Sequence, residues 1–127
     1  MRYKFRGKRL DGEWVYGSLV AVGGMTETYW ILESDGIFKD NILPESVGQW
    51  TGLVDRHGKE IFEGDVLRNV LNPLYDNEPY FIAYDTWSGG WNWIDRAGNE
   101  DPYFHAIAKH SEIIGNLMDS PELMEVE

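Results

Sequence analysis

A chain of 127 residues, 43% hydrophobic and 14% aromatic, has the length of one domain and too much apolar content to stay disordered. It contains no cysteine, which excludes disulfides, thiolate chemistry and cysteine-based zinc sites and fits a cytoplasmic protein. Its net charge is -11, and its 22 acids all lie beyond residue 10, so the body of the chain repels phosphate and suits no generic nucleic-acid partner.

Five of the eleven basic residues, Arg2, Lys4, Arg6, Lys8 and Arg9, fall in the first ten positions. The preferred reading of this basic start is an edge strand whose cations face solvent and discourage edge pairing. The competing reading is an arm that contacts RNA or DNA. No apolar run follows the basic start, so no signal peptide is expected, and no run approaches the ~18 apolar residues of a membrane span.

The dominant local pattern is β: short aromatic or β-branched runs separated by Gly, Asp, Asn and Pro. Tyr3–Arg9 alternates, Leu10–Glu13 carries the Asp-Gly of a tight hairpin turn, and Trp14–Val20 returns. In that second run Trp14 and Tyr16 share one face and Val15 takes the other. Residues 21–26 read as a loop, Glu27–Glu33 as a strand, and Ile37–Leu43 as a weaker strand interrupted by Lys39-Asp40-Asn41. Val47–Thr51 is extended, Asp55–Gly58 turns, and Val66–Leu71 is a further strand. Residues 72–79 form an acidic, proline-containing loop. Tyr80–Asp85 and Trp91–Asp95 alternate on either side of a Gly-Gly turn. Residues 103–110 fit strand or helix equally, 112–118 favour strand, and Ser120-Pro121-Glu122 reads as a capped helix start.

No repeat or linker divides the chain, so residues 1–127 are expected to form a single domain. The expected fold is mostly β: a small barrel or a strongly bent antiparallel sheet with a short C-terminal helix.

The central text Pro44–Leu53, with Asp55 and Gly58–Val66, resembles the YopX family of phage and prophage proteins. Phe5–Lys8 with Gly12–Gly17 is similar to the family's opening, and Ile113–Leu117 with Ser120–Leu123 to its close. Trp50 stands where the family has Tyr or Phe. The resemblance covers nearly the whole chain. It implies a phage-encoded protein of unassigned function with a barrel similar to SH3-like barrels. It implies no catalytic residue.

The chemistry-bearing clusters are few. No phosphate loop, His-Glu-x-x-His or Gly-x-Ser-x-Gly is present. Glu60, Glu63 and Asp65 are the best carboxylate set; an extended Glu63-Gly64-Asp65 would put two carboxylates on one face, where Mg²⁺ or Ca²⁺ could bind. A solvated rim beside a bend is preferred, and neither metal nor cofactor is expected. His57, His105 and His110 are poorly spaced for a metal site.

Trp87, Trp91 and Trp93, with Tyr84, are the candidate interaction surface, since Trp and Tyr dominate interface hot spots. The competing reading buries them in the core. The favoured function is a non-catalytic module binding an unidentified host or phage protein. The alternatives are nucleic-acid binding through the basic strand, acidic mimicry of DNA, and a metal-dependent enzyme using Glu60, Glu63 and Asp65.

Overall fold

The computed structural model describes residues 4–23, 28–69, 78–87, 89–101 and 107–125. The chain divides into two compact units, residues 1–50 and 51–127. Among the described residues the strands form two open antiparallel sheets and no closed barrel. The β pattern therefore takes the form of two antiparallel sheets, and the expected SH3-like closure is absent from the described part.

In the first unit, β1 (Phe5–Lys8), β2 (Trp14–Val22), β3 (Thr28–Leu32) and β4 (Phe38–Lys39) join in the order β4-β3-β2-β1. The first residues of β5 (Gly48–Val54) flank β1 on its other side, with Phe5 opposite Gln49 and Arg6 opposite Gly48. The β1–β2 hairpin forms as its Asp-Gly turn predicts. Alternation then sorts the faces. Val15 and Ile31 point inward to a core completed by Ile42, with Leu19, Tyr29 and Val47 packed against it. Tyr16 points out.

Two expectations need correction here. β1 is an interior strand, between β2 and β5, rather than an edge. Two cations at its start lie over aromatic rings: Lys4 Nζ, just before the strand, is 5.6 Å from the Trp50 ring, and the Arg6 guanidinium is 4.8 Å from that of Trp14. The run 37–43 yields a two-residue strand only, because Asn41 adopts φ +57° and Pro44–Ser46 closes into a 3-10 turn.

In the second unit, the end of β5 pairs with β6 (Glu60–Phe62). The second sheet joins β7 (Asp65–Asn69), β8 (Pro79–Asp85), β9 (Gly90–Asp95), β10 (Glu100–Asp101) and β11 (Ser111–Asn116) in the order β10-β9-β8-β7-β11. Ile61, Leu67, Tyr80, Ile82 and Ala108 form its core. The Tyr80 hydroxyl bonds Ser111 Oγ, which in turn donates to the Ile107 carbonyl at 2.8 Å. Burial pushes the Tyr80 phenol up to about 12, the bond to Ser111 opposing the shift. The C-terminal helix is a single 3-10 turn, Pro121–Met124, and Ser120 makes no side-chain cap bond to it.

Two turns position β6. Asp55 opens the first and is 4% exposed. Its Oδ1 accepts the N–H groups of His57 (2.8 Å) and Lys59 (2.9 Å), and its Oδ2 accepts that of Ile113 on β11 (3.2 Å). The second turn is Glu63-Gly64. Gly64 has φ +89°, its N–H donates to Ile82 and its carbonyl accepts Leu117. Burial raises the Asp55 carboxyl, but the three N–H donors and the charge of nearby His57 outweigh it and leave the group below the usual carboxylate range.

Replacing Asp55 by Ala strands three backbone donors, and the expected loss is about 3 kcal/mol or more in denaturant unfolding. The depressed carboxyl adds stability that is complete above its unfolded value and fades as the pH falls through the folded one. Asp55→Asn is therefore expected to flatten the acid limb of stability against pH by up to about 1.4 kcal/mol per pH unit. An acid limb as steep as that of the parent chain would refute the assignment. Tyr80 acts at the other end of the scale. Its raised folded value makes stability fall between about pH 10 and pH 12, as the unfolded phenol ionises first, and Tyr80→Phe removes that component of the alkaline limb.

Candidate functional site

The β8–β9 hairpin carries the candidate surface. Tyr84 lies opposite Trp91, Ile82 opposite Trp93, and Tyr80 opposite Asp95. Opposed residues share a face, so one side of the hairpin runs Tyr80, Ile82, Tyr84 along β8 and Asp95, Trp93, Trp91 along β9. The face changes character along its length. At one end Tyr80 and Ile82 are fully buried, and the Trp93 ring meets Tyr80 edge-on, with centroids 4.6 Å apart. At the other end Tyr84 is 47% exposed and meets Trp91 edge-on at 5.2 Å.

The turn completes the site. The Asp85 carbonyl accepts Gly89 N–H at 2.8 Å and its Oδ1 accepts Trp87 N–H at 3.1 Å. Asn92 Nδ2 reaches Asp85 Oδ2 at 3.4 Å, tying the turn to β9. Trp87 stands in this turn with its side chain in solvent, 96% exposed. The four residues singled out in the sequence thus divide. Trp87 and Tyr84 are exposed, while Trp91 and Trp93 are half-buried against the core of the second unit. The Trp93 indole N–H is buried and has no hydrogen-bond partner among the described residues.

The carboxylates are deployed differently. Glu63 and Gly64 form a turn, so Glu63 and Asp65 are not successive positions of one extended strand. Asp65 is 2% exposed and its Oδ2 accepts Phe62 N–H at 2.8 Å. Among the described residues no three His, Asp or Glu side chains converge as a metal-holding group. His105 lies outside the described residues.

Sequence reasoning missed one ionic cluster. Glu112 on β11 sits opposite Arg68 on β7 and bonds its guanidinium, while His57 Nε2 stands 3.6 Å from Glu112 Oε2. The bond from Arg68 and its charge, with His57 adding to them, hold the Glu112 carboxyl below its ordinary range against its desolvation. Arg68 and Glu112 lie 44 positions apart, so only the β7–β11 pairing reveals them. As partly exposed charges on paired strands, they form a surface brace between β7 and β11.

Comparison with known proteins adds the family. No curated protein matches the chain. Among solved structures, the crystal structure of protein EF1440 from Enterococcus faecalis is similar, at 22% identity and a TM-score of 0.59. The match covers 98% of this chain and 99% of that one, and at this identity it shows a shared fold. The model of the family described as YopX protein matches residues 4–125, through both units and through the central text around Asp55 and Gly64, and the chain belongs to that family.

Proposed function

We propose that this protein is a phage or prophage accessory protein of the bacterial cytoplasm, a single-domain, non-catalytic module that docks onto a partner protein through the tip of the β8–β9 hairpin. Trp87 is the anchor, Tyr84 and Trp91 form its apolar flank, and Trp93 braces that flank from the core side. The observation that carries this reading is the exposure of Trp87, 96%, on a turn held by Asp85. A tryptophan left in water forgoes the burial of a large apolar surface that docking would recover. Trp and Tyr are also the residues that most often dominate binding energy when a partner covers them.

Charge narrows the partner. Beyond residue 10 the chain carries six basic residues against 22 acids, which favours encounter with a basic protein surface. Nucleic acid is the weaker reading. The cations nearest the start of the described chain already lie over rings, and Arg6 is buried. The carboxylate-enzyme reading has less support still, since Asp55 and Asp65 are occupied by backbone donors.

Affinity capture from a phage-infected or prophage-carrying bacterial lysate, followed by titration of the purified captured protein, tests the proposal. Trp87→Ala is expected to weaken the dissociation constant by about 30-fold, the effect of a 2 kcal/mol hot spot. Tyr84→Ala should cost less. A partner that binds the Trp87→Ala/Tyr84→Ala double variant as tightly as the parent chain would place the interface elsewhere.

A further inference from the structure

The first unit contains a feature independent of the hairpin. β2 changes neighbours partway along its length. Trp14–Gly17 pair with β1, while Ser18–Val22 pair with β3. Gly17 stands at the changeover, where a Cβ would come within 2.0 Å of the Leu32 carbonyl oxygen. No side chain fits there, and the backbone of β2 crosses directly beside the end of β3. The chain then leaves β3 at Glu33 and turns through Ser34–Gly36. A cleft of about 320 Å³ is left open at this point.

Its lining is mixed in a specific way. The Tyr16 ring, 45% exposed, and the Leu32 side chain supply apolar surface. The polar lining residues are Lys4, Glu33, Ser18 and Ser34, whose side chains end in an ammonium, a carboxylate and two hydroxyls. The side chains of Ser18, Glu33 and Ser34 make no hydrogen bond or ion pair among the described residues. The volume falls at the lower end of the roughly 300–1,000 Å³ typical of ligand pockets.

We infer that this cleft binds a neutral, polyhydroxylated ligand of the saccharide class. The lining carries one positive and one negative group, so it favours neither an anion nor a cation. A phosphate would also meet Glu33 on a chain of net charge -11. A zwitterion could pair with both charges, but ion pairs in such an open place contribute about 0–1 kcal/mol and leave the ring unused. A sugar uses every element. Its C–H face lies on the Tyr16 ring, and its hydroxyls, each donor and acceptor, meet the ammonium, the carboxylate and the two serines.

The test is a titration of the ¹⁵N-labelled full chain with maltose, cellobiose and diacetylchitobiose, followed by amide chemical shifts. Glycyl-leucine and adenosine monophosphate serve as zwitterionic and anionic comparators. Saturable shifts at the Ser18, Glu33 and Ser34 amides are expected with at least one disaccharide below about 50 mM. Tyr16→Ala, whose side chain is outside the core, is expected to weaken that binding by about tenfold while leaving the amide shifts of Val15 and Ile31 in place. Three results would overturn the inference: no saturation with any disaccharide, tighter binding by either comparator at these amides, or undiminished binding by Tyr16→Ala.

Discussion

Three backbone N–H groups converge on the buried carboxylate of Asp55, and the geometry of the second unit depends on that convergence. Two of the donors belong to the turn that Asp55 itself opens, and the third belongs to β11, 58 positions later in the chain. Taking a carboxylate out of water costs several kcal/mol unless its oxygens are well bonded. Here the bonding both offsets the burial and fixes where β11 runs relative to the β5–β6 turn. Asp65 repeats the device at the other end of β6, accepting Phe62 N–H. β6 is only three residues long and holds its place between two such anchors. The acids and glycines of this stretch are thus architectural: each carboxylate terminates backbone donors that the turns would otherwise leave unpaired.

The β8–β9 hairpin is built on the opposite logic. One face runs Tyr80, Ile82 and Tyr84 along β8 from the core out to solvent, with Trp93 and Trp91 beside them on β9. At the inner end those residues are part of the packing, and Tyr80 and Ile82 cannot be altered without disturbing it. At the outer end the same pattern is left uncovered among the described residues, and Tyr84 and Trp87 are exposed. A stem whose inner end packs in the core limits the conformational entropy lost when a partner covers the aromatics it holds.

Much of this was legible in the sequence. Period-two alternation put Val15 and Tyr16 on opposite faces, and Asp-Gly marked the first hairpin turn. The glycines of the central stretch marked its bends. What escaped the sequence depended on partners far along the chain. The basic start suggested an edge strand because Lys and Arg commonly guard edges. The alternative, cations laid over Trp14 and Trp50 within an interior strand, requires knowing that β5 returns beside β1. An extended Glu63-Gly64-Asp65 would have put both carboxylates on one face, but Gly64 puts a turn between them, in keeping with the preferred reading of a rim beside a bend. The Arg68–Glu112 pair and the cleft at Gly17 are likewise products of strand pairing, with no local text to announce them. A periodic pattern also sets which face of a strand is buried but not whether the outermost strands meet, so bent sheet and closed barrel share one local signature.

The stretch that identifies the family is therefore the stretch least suited to reveal its function. Residues such as Asp55, Gly64 and Asp65 satisfy demands of backbone geometry that any activity built on this fold would share. Similarity to EF1440 at 22% identity is of the same kind, since a fold can persist over nearly the full length of two chains while their surfaces diverge. Function has to be sought where architecture places no demand. In this protein that description fits Trp87, 96% exposed, and the polar rim beside Gly17, whose hydroxyls and carboxylate bond to no neighbouring strand among the described residues. Burial in the core explains Trp93 in part, and backbone bonding explains Asp55 in full. Neither explains an indole left in water at the tip of the β8–β9 hairpin.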